Sequence, residues 1–197
     1  MTPEHQLSKE DLDRWIDIFR FKITGTKEEQ KQLRQLAKEC VRFIDDIRTG
    51  QKPRWLVLLG PSGCGKTFLA RTIWDWYKQS PHWREQFTDG LNPGRFCDWP
   101  DVAWHLQQNE WTGMLDDIAQ ERVVVIDEIG ADRDKNGHVR DCLARLCSKR
   151  VGKWTVVTSN RSLQEIGAQV DERVSSRMQR DGSVVVELNV RDYFVRK

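Results

Sequence analysis

The sequence predicts an α/β fold in which a five-stranded, mostly parallel sheet lies between helices, preceded by a helical N-terminal arm. Three observations predict it. Five short runs rich in β-branched and aromatic residues alternate with segments of helical periodicity. The first run, 55–59, leads directly into Gly60-Pro61-Ser62-Gly63-Cys64-Gly65-Lys66-Thr67, and an amphipathic helix beginning Lys66-Thr67-Phe68 follows. The third run, 122–126, ends in the acidic pair Asp127-Glu128.

The elements follow in order. Ser8 precedes Lys9-Glu10-Asp11, an N-cap with acidic residues after it, and Leu12, Trp15, Ile16 and Phe19 recur at helical spacing. Gly25 interrupts this helix. Thr26 then caps a second one that runs to about 47, with Leu33, Leu36, Ala37, Cys40, Val41, Ile44 and Ile47 on one face. Gly50 and Pro53 end it, so the arm is placed at 1–50 and the core at 51–197. The arm's apolar stripes suit either a partner's helix or the chain's own core. Beyond the first strand the pattern predicts a helix over 66–77, a polar stretch with Pro81, Gly90, Pro93 and Gly94, and a short strand at 95–97. Helices at 101–108 and 112–118, a buried strand at 122–126 and a helix at 139–148 come next. A strand at 154–158, helices at 163–170 and 172–179, and a strand at 183–188 complete the set.

Composition bounds the function. The chain of 197 residues is 31% charged and 38% hydrophobic, the balance of a soluble globular protein. Its net charge is +2, so the overall field neither demands nor excludes a nucleic-acid partner. No apolar stretch approaches the ~20 residues of a membrane span. The opening residues lack the basic-then-apolar pattern of a leader, which places the protein in the cytoplasm. Five scattered cysteines, one of them inside the Gly-rich loop, form no metal-binding pattern and read as reduced thiols. Nine tryptophans read as core and interface filler, with base stacking as the functional alternative.

The Gly-rich segment is a phosphate-binding loop of the Walker A type. Its glycines let the backbone aim several N–H groups at a polyphosphate, and the helix after it points its positive end at the same anion. Lys66 adds a charge near the β- and γ-phosphates, and the Thr67 hydroxyl is a Mg²⁺ ligand. Asp127 and Glu128 at the tip of an apolar strand form the matching Walker B pair: Asp127 to hold Mg²⁺, Glu128 to orient the attacking water. The next strand ends Thr158-Ser159-Asn160, where ligands of open α/β sheets bind, so Asn160 is placed to contact the γ-phosphate or the water. Arg173 and Arg177 share one helix face, where a guanidinium from a neighbouring subunit could meet charge developing on the γ-phosphate.

Four phrases in this order carry a family resemblance: the phosphate loop, Val125-Ile-Asp-Glu-Ile-Gly130, Thr158-Ser-Asn160, and Glu172-Arg-Val-Ser-Ser-Arg-Met178. They resemble the AAA+ ATPases of the DnaC/DnaI/IstB group, bacterial and phage helicase loaders and transposition helpers, over about residues 40–193, and Leu188-Asn-Val-Arg-Asp-Tyr193 also resembles how DnaC-type chains finish. The resemblance implies a P-loop AAA+ domain that binds and hydrolyses ATP with Mg²⁺. It gives Lys66 and Thr67 the Walker A roles, Asp127 and Glu128 the Walker B roles and Asn160 that of sensor 1. Arg177 becomes the arginine finger, with Arg173 the next candidate. It further implies an ATP-dependent homo-oligomer, single-stranded DNA in a central channel, and a hexameric replicative helicase held by the N-terminal region. A duplex-binding transposition helper is the alternative within the family, and a P-loop small-molecule kinase the alternative outside it. About nine residues follow Leu188, too few for a C-terminal helical lid, which leaves Arg191 and Arg196 as substitutes for a lid arginine. Arg133, Lys135, Arg140, Arg145, Lys149 and Arg150 are candidates for a DNA channel.

Overall fold

The computed structural model describes residues 21–79, 94–108, 113–131, 134 and 137–196. The helix expected at 8–20, the Pro81–Pro93 breakers, the first residue of the helix expected at 112–118, and the channel candidates Arg133 and Lys135 lie outside these residues.

Helix α1 (Lys27–Arg48) begins where Thr26 and Glu29 make a reciprocal capping box: the Glu29 N–H donates to Thr26 Oγ1, and Glu29 Oε2 accepts from the Thr26 N–H. It leads through a short turn into strand β1 (Trp55–Leu59), the loop 60–65 and helix α2 (Lys66–Gln79). Strand β2 (Gly94–Asp98) continues into α3 (Trp99–Gln107), then α4 (Met114–Gln120), β3 (Val123–Asp127), α5 (His138–Lys149) and β4 (Trp154–Ser159). After β4, α6 (Leu163–Glu165) passes into a π-helical turn (Ile166–Val170), and α7 (Glu172–Arg177), β5 (Val184–Glu187) and α8 (Tyr193–Arg196) follow. The single helix expected at 163–170 is therefore split. The Asp171 N–H reaches back five residues to the Ile166 carbonyl, and Asp171 then caps α7 through the Arg173 N–H.

The sheet has the order β2-β3-β4-β1-β5, and all its pairings are parallel. Alternation along each strand divides the interior into two layers. Leu56 and Leu58 of β1, Val123 and Val125 of β3 and Val156 of β4 face α1 and α2. Trp55, Val57, Leu59, Val124, Ile126 and Val157 face α3, α4, α5 and α7. The apolar stripe of α1 is thus settled: Leu33, Leu36, Phe43, Ile44 and Ile47 are buried against the sheet rather than left for a partner. Each such side chain is worth about 1.5–3 kcal/mol of burial, so the helix is held chiefly by this face.

Tryptophan follows the same logic: Trp55, Trp99 and Trp154 are buried core, whereas Trp104 on α3 is exposed. All five cysteines are buried and unpaired, and burial pushes the Cys97 and Cys147 thiols up to about 12.

Arg150, a channel candidate on sequence, is fully buried at the far end of the sheet from the phosphate loop. Its guanidinium donates to the carbonyls of Ala119, Glu121, Arg122 and Trp154 and to Thr155 Oγ1. It ties the end of α4 to the starts of β3 and β4, and burial lowers its pKa to about 10, still charged at neutral pH. Lys149 is likewise engaged, with Asp116 on α4.

Two expectations follow. Arg150→Met should lower stability by about 2–4 kcal/mol, because several buried carbonyls lose their donor; urea denaturation measures it. Glu29, hydrogen-bonded first by Arg191 and then by Thr26, is held far below the ordinary carboxylate value of 4.5. Its contribution is therefore fully present above about pH 4.5 and is lost progressively as pH falls from there to the depressed native value. The Tm difference between wild type and Glu29→Gln should persist at pH 4 and shrink at lower pH.

Candidate nucleotide site

Sheet order builds the site. Because β4 lies between β3 and β1, the carboxyl ends of three adjacent strands present Asp127, Asn160 and Gly60 side by side. Register keeps them level: Leu59 is opposite Ser159, and Ile126 is opposite Val157. After β1 the chain turns through Gly60, Gly63 and Gly65 with φ of 138°, 71° and 104°, values open to glycine. The turn leaves Lys66 and Thr67 on the first turn of α2.

Hydrogen bonds join these ends. Thr67 Oγ1 donates to Asp127 Oδ1 at 3.1 Å, and Thr158 Oγ1 donates to the same oxygen at 2.5 Å. Thr158 Oγ1 also accepts from the Glu128 N–H at 2.9 Å. Asp127 is 2% exposed and has no ion pair among the described residues. A buried carboxylate held by hydroxyls is costly without a cation. One hydroxyl and one carboxylate meeting at a point, with phosphate oxygens completing the shell, is the donor set that Mg²⁺ accepts. Lys66 Nζ donates to the carbonyls of Gly60 and Pro61, each at 2.7 Å, and to Asn160 Oδ1 at 2.9 Å. The ammonium therefore stands between loop and sheet with its three protons directed to oxygens.

Glu128 sits at φ 63°, a backbone region that a residue with a side chain seldom adopts. The kink has a use. It turns Ile129 into the core, 1% exposed, while Glu128 reaches the cleft wall. The cleft is a cavity of about 390 Å³ lined by loop residues 62–65, Lys66, Thr67, Phe68, Glu128 and Asn160. Its remaining wall is Phe21, Lys22, Tyr193 and Arg196, and Phe21 stacks on Phe68 with ring centroids 6.2 Å apart.

The expected residues of one chain thus meet: Lys66, Thr67, Asp127, Glu128 and Asn160 share one locality. Arg173 and Arg177 do not line the cleft. Arg173 is committed to Asp171 at 2.8 Å and Asp141 at 2.7 Å, and its guanidinium holds the Asp171 carboxyl below its ordinary value. Arg177 donates at 2.9 Å to the backbone carbonyl of Arg173 and has no ion pair among the described residues, which makes it the freer cation. Of the two candidates for a lid arginine, Arg191 is bound to Glu29, and Arg196 lines the cleft. Sequence reasoning missed Thr158, Phe21, Lys22 and Tyr193. The threonine at the end of β4 was visible as the residue two before Asn160, and Tyr193 as the end of the family-like phrase 188–193, though neither was given a site role; Phe21 and Lys22 are brought in by contacts no local pattern encodes.

No protein-family model and no curated protein matches the chain. Solved structures do match in fold. The DnaC helicase loader superposes with a TM-score of 0.61 at 19% identity, over 79% of this chain and 89% of that one. DnaI superposes with a TM-score of 0.58 at 20% identity, over 79% and 84%. The replication initiator DnaA bound to AMPPCP and single-stranded DNA gives 0.58 at 17% identity, over 94% of this chain and 51% of that one. The chain thus shares its fold with these replication proteins. The five-stranded sheet and its flanking helices meet the sequence expectation, with pairing fully rather than mostly parallel.

Thr158→Val keeps shape and removes the hydroxyl that serves both Asp127 and Glu128. Leaving these groups unsatisfied should cost about 1–3 kcal/mol at the site. Nucleotide affinity measured with a fluorescent ATP analogue in Mg²⁺ should fall about tenfold or more, with a circular dichroism spectrum like that of wild type.

Proposed function

We propose that this protein is a Mg²⁺-dependent ATPase of the AAA+ type that acts as a replicative helicase loader or a closely related assembly factor of DNA replication. The observation that carries the reading is the meeting of Lys66, Thr67, Glu128 and Asn160 in the wall of one cleft, with Asp127 buried beside it and hydrogen-bonded to Thr67, at the ends of three neighbouring strands. In this reading Lys66 and the loop N–H groups grip the β- and γ-phosphates. Thr67 and Asp127 would hold Mg²⁺, which would neutralise charge on the phosphate oxygens. Glu128 orients the attacking water, and Asn160, already 2.9 Å from Lys66 Nζ, positions the terminal phosphate or that water.

Arg177 lies off the cleft of its own chain, so it serves the cleft of the next copy as a trans-acting finger, with Arg173 held in reserve by its carboxylates. The active form is therefore a homo-oligomer whose interfaces close on ATP and loosen after hydrolysis. Its partners are a hexameric replicative helicase and single-stranded DNA. Likeness of fold to the DnaC helicase loader and to DnaA bound to single-stranded DNA supports this choice over a transposition helper or a kinase. Action in the cytoplasm accords with the absence, among the described residues, of any helix long and apolar enough to cross a membrane.

Three variants separate the roles. Lys66→Ala abolishes ATP binding. Glu128→Gln binds ATP and loses at least about 100-fold in hydrolysis, the size expected of a lost general base. Arg177→Ala binds as wild type and loses only the hydrolysis that rises with protein concentration; full activity of that variant in the assembled state would remove Arg177 from the mechanism. A pull-down against the host's replicative helicase, with and without ATP, tests the partner.

A further inference from the structure

Residues 188–196 run across the back of the phosphate loop. The Leu188 N–H donates to the Leu59 carbonyl at 2.9 Å, and the Tyr193 N–H to the Gly63 carbonyl at 2.9 Å. Between them Val190 is buried in the core. The approach is close enough to dictate glycine: a Cβ at Gly60 would stand 2.6 Å from the Leu188 carbonyl oxygen, and one at Gly63 would stand 1.6 Å from the Asp192 carboxylate. These two glycines therefore admit the tail as well as shaping the loop. The tail ends in α8, four residues long and too short to persist unaided.

What fixes it is Glu29, on the first turn of α1. One carboxylate accepts from Arg191 Nε and Nη2, each at 2.8 Å, and from the Arg191 N–H at 3.1 Å, while keeping its bond to the Thr26 N–H. This is a two-pronged, charge-assisted contact between residues 162 apart, with the carboxylate buried. Gln32 Oε1 adds a bond from the Asn189 N–H at 2.8 Å. Arg191 in turn positions Arg196, whose Nη1 donates to the Arg191 carbonyl at 2.5 Å. Arg196 is only 5% exposed, its Nε has no hydrogen-bond partner, and it has no carboxylate partner among the described residues. A buried guanidinium without a counter-ion, set in the wall of the cleft, is complementary to an anionic ligand.

We propose that residues 188–196 are a strap belonging to the nucleotide site, and that Glu29 and Arg191 are positioning residues whose pairing holds Tyr193 and Arg196 against the bound nucleotide. The inference rests on the nucleotide reading above and adds to it a route from the cleft to the start of α1. By linkage, a nucleotide that binds better to the latched strap also tightens the Glu29–Arg191 contact. The segment that precedes α1 then senses occupancy through Gly25, which packs on the Arg196 side chain.

The test pairs nucleotide affinity with hydrogen exchange. Arg191→Gln removes the charge from an exposed side chain and leaves every residue of the cleft in place. With a fluorescent ATP analogue, affinity should fall about tenfold, the scale of one charge-assisted pair. The amides of Tyr193, Val195 and Arg196 should exchange faster, and saturating nucleotide should restore much of their protection. Arg191→Lys should be intermediate in both, and Arg34→Ala, on the opposite face of α1, unchanged in both. Wild-type affinity in Arg191→Gln with unaltered exchange overturns the proposal. So does weaker binding with unaltered exchange, which would make Arg191 a direct ligand. If the wild-type protein binds no nucleotide, the functional reading fails, and the exchange rates alone still decide whether the pair latches the strap.

Discussion

The Asp127 carboxylate, 2% exposed and bridged by the hydroxyls of Thr67 and Thr158, is the constraint around which the site is organised. Three segments far apart in sequence must meet for that bridge to form: the start of α2, the end of β3 and the end of β4. Only a sheet in which β4 lies between β3 and β1 brings them together, and the parallel pairing puts all three carboxyl ends on one edge. A buried anion with hydroxyls and no cation is a poor device for stability, since an apolar residue there would cost less. In the proposed function, a ligand that supplies positive charge would account for it.

Lys66 supplies the other half of the polarity. Its ammonium stands on the carbonyls of Gly60 and Pro61 and on Asn160, not on Asp127. Cation and carboxylate thus share the site with no hydrogen bond or ion pair between them. That separation suits a ligand carrying both signs, a polyphosphate with its metal, because each end finds a complementary group already oriented and needs little rearrangement. The arginines of α7 stay outside this arrangement. Arg173 is held by Asp141 and Asp171, and Arg177 does not line the cleft.

Legibility in the sequence tracked the range of the interactions. The α1 start was readable because a Thr-x-x-Glu box is local, and the β strands because apolar β-branched runs are local. The loop, the Asp127-Glu128 pair and Asn160 were readable because chemistry fixes their spacing from strand ends. Arg150 misled: a basic residue beside other basic residues looks solvated until the fold closes four carbonyls around it. The π-helical turn was hidden because one five-residue hydrogen bond leaves no trace in apolar periodicity. Thr158 was in view but its double role depended on strand order. The Glu29–Arg191 contact was beyond reach, since nothing near either residue marks the other.

The dependence of nucleotide affinity on Mg²⁺ in wild type and Asp127→Asn tests the central claim most directly. The account predicts that Mg²⁺ tightens ATP binding to the wild-type protein by about tenfold or more, and that Asp127→Asn loses this increment while keeping the affinity measured in chelator. An Asp127→Asn protein that retains the full Mg²⁺ increment, or a wild-type protein indifferent to Mg²⁺, would contradict it.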